Sequence, residues 1–140
     1  IFVTGLIDKS KIRNLIPHSG TMCLLDDVVR WDDESIFCIS NTNRDANNPP
    51  AVHALEYGAQ AAAIHGGLRA RAAGTTPPPC YLAALRDTHL HVARLDDFAS
   101  PLEVRVQRLF GDAGNTICQC SISTNGAPIA DGRVTIMLRV

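Results

Sequence analysis

The chain divides by the spacing of its apolar residues. From "MCLLDDVVRW" through "SIFCISNTN", apolar and β-branched positions crowd into two short runs separated by the polar "DDE", the pattern of a strand pair or hairpin. The cluster "NRDANNPP" ends that region. From about Pro50 to Ala73 the character changes. Alanine, leucine, isoleucine and glycine dominate without a β-branched run, which predicts a helix buried on most sides. Asn48 is placed to cap it, Pro49 or Pro50 fits its first turn, and Gly74 stops it. The linker "TTPPP" after it reads as stiff and exposed.

Four more strand-like stretches follow: "CYLAALRDTHLHV", "LEVRVQRLF", "NTICQCSIS" and "APIADGRVTIMLRV". "GDAGN" and "TNGA" between them are turns of the kind that join antiparallel neighbours. Leu102, Val104 and Val106 alternate with Glu103, Arg105 and Gln107, so that strand has one wet face. Before all of this, "DKSKIRNL" reads as a short helix or turn capped near Asp8, and "PHSGT" as a loop. The expected layout is α+β: two strands, one long buried helix, then four strands, an antiparallel sheet wrapped on a helix in one domain spanning residues 1–140.

Composition narrows the function classes. A formal net charge of −1 and the absence of a basic stripe argue against nucleic acid and anionic membranes, and favour a small-molecule or acidic-protein partner. No apolar run approaches the roughly 18 residues of a membrane-spanning helix. The first residues lack the order of a signal peptide, so the expected location is cytoplasmic. Cys23, Cys38, Cys80, Cys118 and Cys120 show neither a CxxC pair nor zinc-site spacing, and read as reduced, buried small hydrophobes. No metal site is expected.

One acid, Glu56, stands early in the alanine-rich helix. Read alone, it is either a functional acid in an apolar setting or a carboxylate that reaches solvent or caps nearby backbone. An apolar setting resists ionisation, so such an acid holds a proton near neutral pH and can donate it.

Several stretches together resemble the β-hydroxyacyl-thioester dehydratases of the hotdog fold. "IPHSGTMCLLDDVV" is similar to that family's opening stretch, and "ALEYGAQAAA" to its helix motif, an acid followed three and four residues later by alanine and glutamine. "CYLAALRDTHLHV" sits where the family's strand after the helix lies. Within the superfamily the resemblance is closest to the short dehydratase-like proteins of aryl polyene biosynthesis clusters, through "PHxGxMxLLD" and the "HGGLRAR"-like helix end, here His65 to Arg71. The fatty-acid enzymes carry their catalytic histidine in a motif ahead of the helix. Here that region is cut down to "NTNRDANNPP", without a histidine.

The resemblance implies an α+β hotdog fold, acyl thioesters on a carrier protein or coenzyme A as substrate, no cofactor, and pairing into a homodimer or a heteromer with a related hotdog subunit. It makes Glu56 the catalytic acid and gives Gln60, one turn later, the role of holding backbone or the Glu56 carboxyl. Dehydration also needs a base for the α-proton and a group to polarise the thioester carbonyl. The unpaired N–H groups at the helix start, those of Ala51 and Val52 among them, are placed for the carbonyl, with Gly20 in the "PHSGT" loop also against substrate. Two histidines compete for the base: His18 in that loop, and His53, three residues before Glu56 and within about 60° of it on the helix. Each has a structural alternative, as an ordinary loop histidine or a partly buried neutral one.

The remaining candidates read as structural. His89 and His91 share a strand face without a third ligand and are expected as surface histidines. His65, with Gly66 and Gly67, is expected to serve close packing. Arg69 and Arg71 could meet a phosphate, but a cationic helix end is explained by its dipole. Asp26 and Asp27 look like a strand end. Two other readings remain open: a non-catalytic subunit that supports a partner dehydratase, and a thioesterase that directs water at the thioester.

Overall fold

The computed structural model describes residues 3–7, 25–40, 54–75, 80–92, 101–112 and 115–138. The expected helix at residues 8–15, the "PHSGT" loop with His18 and Gly20, the "NRDANNPP" segment with Asn48, the helix-start residues Ala51, Val52 and His53, and Cys23 lie outside them.

The described elements run β1 (Val3–Ile7), β2 (Asp27–Trp31), β3 (Ser35–Ser40), α1 (Ala54–Ala72), β4 (Cys80–Leu90), β5 (Leu102–Gly111), β6 (Asn115–Thr124) and β7 (Ala127–Leu138). They form one seven-stranded sheet in the order β1-β2-β3-β5-β6-β7-β4, antiparallel at every pairing. This is the α+β arrangement expected from the sequence, with one added strand. β1 was not among the expected strands. Its five residues "VTGLI" are too few to announce themselves, and only pairing with β2 through Val3↔Trp31 and Thr4↔Arg30 identifies them.

Local chemistry explains the boundaries. The "DDE" turn between β2 and β3 is closed by Asp32, whose Oδ1 accepts the N–H groups of Glu34 (2.8 Å) and Ser35 (2.7 Å) and the Ser35 hydroxyl (3.1 Å). These bonds, the Glu34 N–H first, hold the Asp32 carboxyl below its usual range. α1 ends at Gly74, whose φ of +77° is open to glycine without strain. There the Thr75 N–H reaches the Ala70 carbonyl (2.9 Å) and the Gly74 N–H the Arg71 carbonyl (3.0 Å), the paired bonds of a Schellman motif. The β6–β7 hairpin turns on two residues, Asn125 (φ +49°) and Gly126 (φ +79°), between the pair Thr124↔Ala127. Both left-handed residues match the twist of the strands they join.

The core lies between the inner face of the sheet and α1. Leu102, Val104 and Val106 of β5, Cys118, Cys120 and Ile122 of β6, and Ile129 and Val134 of β7 meet Leu55, Tyr57, Ile64 and Leu68 of the helix. The expected wet face of β5 is present, with Arg105 and Gln107 exposed. Each large aliphatic side chain in this layer removes enough apolar surface from water for about 1.5–3 kcal/mol. Cys38, Cys118 and Cys120 are free and buried, as expected of small hydrophobes. Burial pushes the Cys38 thiol up to about 12 and Cys118 to about 11, so neither is a nucleophile at neutral pH.

The β6–β7 turn offers a direct check. Gly126→Ala places a Cβ in the left-handed region, at a cost of about 1 kcal/mol, and urea unfolding should register that loss. Unaltered stability would mean the turn adopts another conformation.

Candidate functional site

α1 buries Ala54, Leu55, Tyr57, Gly58, Ala61, Ala62, Ile64, His65, Gly67 and Leu68. The opposite flank is a strip in which Glu56 and Gly66 are exposed, and Ala59, Gln60 and Ala63 are half-buried. The helix is buried on most sides, as expected, and one side stays open. Of the two readings of Glu56, an acid in an apolar setting or a carboxylate that reaches solvent, the single chain shows the second. Residues 55, 57 and 58 turn toward the sheet, and the helical period then points residue 56 outward. Ala59 and Gln60 follow it one turn later, and the chain itself does not cover it.

The first described turn of α1 nevertheless lies close against the sheet. A Cβ on Gly132 of β7 would lie 3.4 Å from Leu55 Cδ2 and 3.3 Å from Thr88 Oγ1 of β4. The first turn of α1 therefore lies over β7 beside β4. β4 ends the sheet order and pairs with β7 alone among the described strands. It exposes Leu85 (42%) and Leu90 (46%). The acid and this edge, unpaired among the described residues, thus stand on the same side of the sheet. Gln60 lies one turn beyond Glu56 on the same flank. His18, His53, Ala51, Val52 and Gly20 lie outside the described residues.

The other histidines separate cleanly by environment. His65 is 2% exposed, and its Nε2–H donates to the Asp32 carbonyl at 2.6 Å; the carbonyl can only accept, which fixes the tautomer. Its ring meets Trp31 edge-on at 6.3 Å. Burial, the largest influence, pulls its pKa below the usual value, with the Arg69 and Arg108 charges acting in the same direction. His65 is therefore a packing residue, as expected. It ties the second half of α1 to the β2–β3 turn, where Arg69 Nε also lies 3.6 Å from Asp33 Oδ1. Gly66 departs from the expectation of close packing, because apart from its chain neighbours and the helix's own backbone nothing lies within 4 Å of where its Cβ would be.

His89 and His91 are exposed and share one carboxylate: His89 Nδ1 lies 2.9 Å from Asp131 Oδ1, and His91 Nε2 3.1 Å from Asp131 Oδ2. Hydrogen bonds from His91 and then His89 hold the Asp131 carboxyl below its usual range. Gly132, next to Asp131, faces Leu55 and the helix, so this trio lies on the outer face of the sheet, away from Glu56. Sequence spacing paired the two histidines but could not find Asp131, which joins them only through the β4–β7 register, His89↔Asp131. Among the described residues no group of three or more His, Cys, Asp or Glu side chains could hold a metal ion, and no helix is long and apolar enough to cross a membrane.

An antiparallel sheet wrapped on one helix is the arrangement of a hotdog protein. The sequence profile of the ApeP-like family, described as ApeP dehydratase, matches residues 10–139, and the chain belongs to that family. It is thus a dehydratase-like hotdog protein. Its fold is similar to that of the dehydratase heterocomplex ApeI:P from Xenorhabdus doucetiae, with a TM-score of 0.84 at 22% identity over 92% of this chain and 91% of that one. It is also similar, more distantly, to a hypothetical thioesterase with coenzyme A from Streptococcus pneumoniae (TM-score 0.57, 10% identity, 78% and 81% covered). A putative thioesterase from Shewanella oneidensis has a TM-score of 0.58 at 12% identity, with 76% of each chain covered. No curated protein matches the sequence.

The environment of His65 generates a pH prediction. The unfolded chain takes up a proton near the ordinary imidazole value of 6.5, while the folded chain resists it. Stability from this residue is therefore complete above that pH and declines as pH falls below it. Urea unfolding between pH 7.5 and 5 should show that decline, and His65→Gln should flatten it. An equal slope in both proteins would exclude His65 as its source.

Proposed function

We propose that this chain is one half of a 3-hydroxyacyl-thioester dehydratase, supplying Glu56 as general acid to a site that a second hotdog subunit completes. The observation that carries this reading is the position of Glu56: exposed, on the open flank of the helix, beside an edge strand that no described strand covers. A second subunit adding to β4 would exclude water from the Glu56 flank and create the apolar setting that the chain alone lacks. The family and the name of the similar heterocomplex support a partner of related fold, identical or different.

In this reading the substrate is a β-hydroxyacyl thioester carried by an acyl carrier protein or coenzyme A, in a fatty-acid-like or aryl polyene pathway of the cytoplasm. A base removes the α-proton, the electron pair becomes the new C=C bond, and the β-hydroxyl leaves as water with the proton from Glu56. Backbone N–H groups at the start of the helix, including those of Ala51 and Val52, polarise the thioester carbonyl; Gly20 lies against substrate and Gln60 steadies the acid. His18 and His53 are this chain's candidates for the base, and a histidine of the second subunit is the third. No metal or redox cofactor enters the scheme, and the whole of 1–140 acts as one domain.

A second reading follows from residues 41–50, "NTNRDANNPP", which contain no histidine. In it, the chain stabilises or completes an active dehydratase without contributing chemistry. Glu56→Gln separates the two. The amide keeps the shape but delivers no proton, so a catalytic Glu56 predicts loss of about a hundredfold or more in turnover by the complete assembly, with stability retained. Unchanged turnover in the folded variant removes Glu56 from the mechanism and leaves the supporting role. Release of free acid in place of enoyl thioester would identify a thioesterase.

The free β4 edge predicts assembly. Sedimentation at micromolar concentration should give at least a dimer, alone or with its pathway partner. A stable monomer under both conditions would contradict the completed-site reading.

A further inference from the structure

The close approach of α1 to β6 provides an inference that deepens the proposed dehydratase reading and rests on it. A Cβ on Gly58 would lie 2.8 Å from Cys120 Cβ and 2.9 Å from Cys120 Sγ, with Ile122 Cδ1 at 3.7 Å. The first of these neighbours is anchored directly to the β6 backbone and cannot swing away. One turn earlier, Leu55 rests over Gly132 of β7. The start of the helix is therefore seated at two points on two adjacent strands, with no clearance at the first.

Glu56 lies two residues from Gly58, about 200° around the helix. Pressure applied at 58 from the sheet thus moves 56 along the direction in which it already points. Carbon atoms in contact rest about 3.5–4.0 Å apart, so a methyl at 58 requires a recoil of about 0.7 Å or more from the 2.8 Å approach. We propose that Gly58, seated on Cys120, is a positioning residue that sets how far the Glu56 carboxyl projects toward the bound substrate. Reacting groups tolerate little error of this kind; displacement by about 1 Å can cost a hundredfold in rate.

The test uses the complete, active assembly and compares Gly58→Ala, Gly58→Ala/Cys120→Gly, Cys120→Val and Glu56→Gln. Folding is followed by circular dichroism and assembly by sedimentation. Gly58→Ala should assemble and lose about tenfold or more in kcat with KM within about twofold, because the substrate still binds while the acid is misplaced. Removing the opposing Cβ and Sγ in the double variant should recover most of that loss. A folded Gly58→Ala with wild-type kcat, or a loss the double variant does not recover, overturns the proposal. Should Gly58→Ala fail to fold, Cys120→Val applies a smaller push from the other side; a selective fall in kcat supports the seat and an unchanged kcat overturns it. Glu56→Gln tells the two levels apart. If it remains active, the acid role fails and the positioning role with it; if it is inactive while the Gly58 and Cys120 variants turn over normally, only the positioning role fails.

Discussion

The structure depends on how closely one helix can lie on one sheet. At Gly58 the backbone of α1 approaches Cys120 so nearly that a side chain has no room. Leu55, Tyr57, Ile64 and Leu68 fill the layer on either side of that point. His65 then fastens the second half of the helix to the β2–β3 turn through the Asp32 carbonyl. With the buried face set by these contacts, the periodicity of the helix determines what is left outside, and Glu56 is part of it.

This explains how a carboxylate comes to stand in an alanine-rich segment. In a helix covered all round it would be costly, since an unpaired charge loses its hydration without compensation. Here it stands on the open flank, among small residues that leave room for another surface, beside a strand with a free edge. Under the proposed function this open flank is what a second subunit would cover, and only then would the acid lose its water. The outer face of the sheet carries a different chemistry, with Arg30 and Arg105 lying over Phe37 (5.4 and 4.3 Å to the ring) and Asp131 held between two histidines. That face is polar and solvent-facing, as an antiparallel sheet with one covered side requires.

Much of the fold was legible because local signals and global arrangement agree. The alternation in "LEVRV", the asparagine–glycine turn at 125–126 and the stop at Gly74 each have a local cause, and each appears where the sequence places it. β1 was not legible, because five residues gain strand character only from pairing with β2. The exposure of Glu56 was not legible. Composition marks α1 as apolar, yet the side left uncovered depends on where Gly58 and Leu55 meet strands more than fifty residues away. Asp131 escaped for a similar reason, since only strand register unites it with His89 and His91. The histidine candidates His18 and His53 lie outside the described residues, and the choice between them rests on chemistry alone.

A structure of the functional assembly would reveal the surroundings of the Glu56 carboxyl. If Glu56 is the acid of a shared site, a second hotdog subunit adds to the β4 edge, covers the Glu56 flank, and leaves a histidine of either subunit within about 7 Å, close enough for acid and base to reach one substrate. A Glu56 still open to solvent in the active assembly, or covered with no histidine near it, would contradict that role.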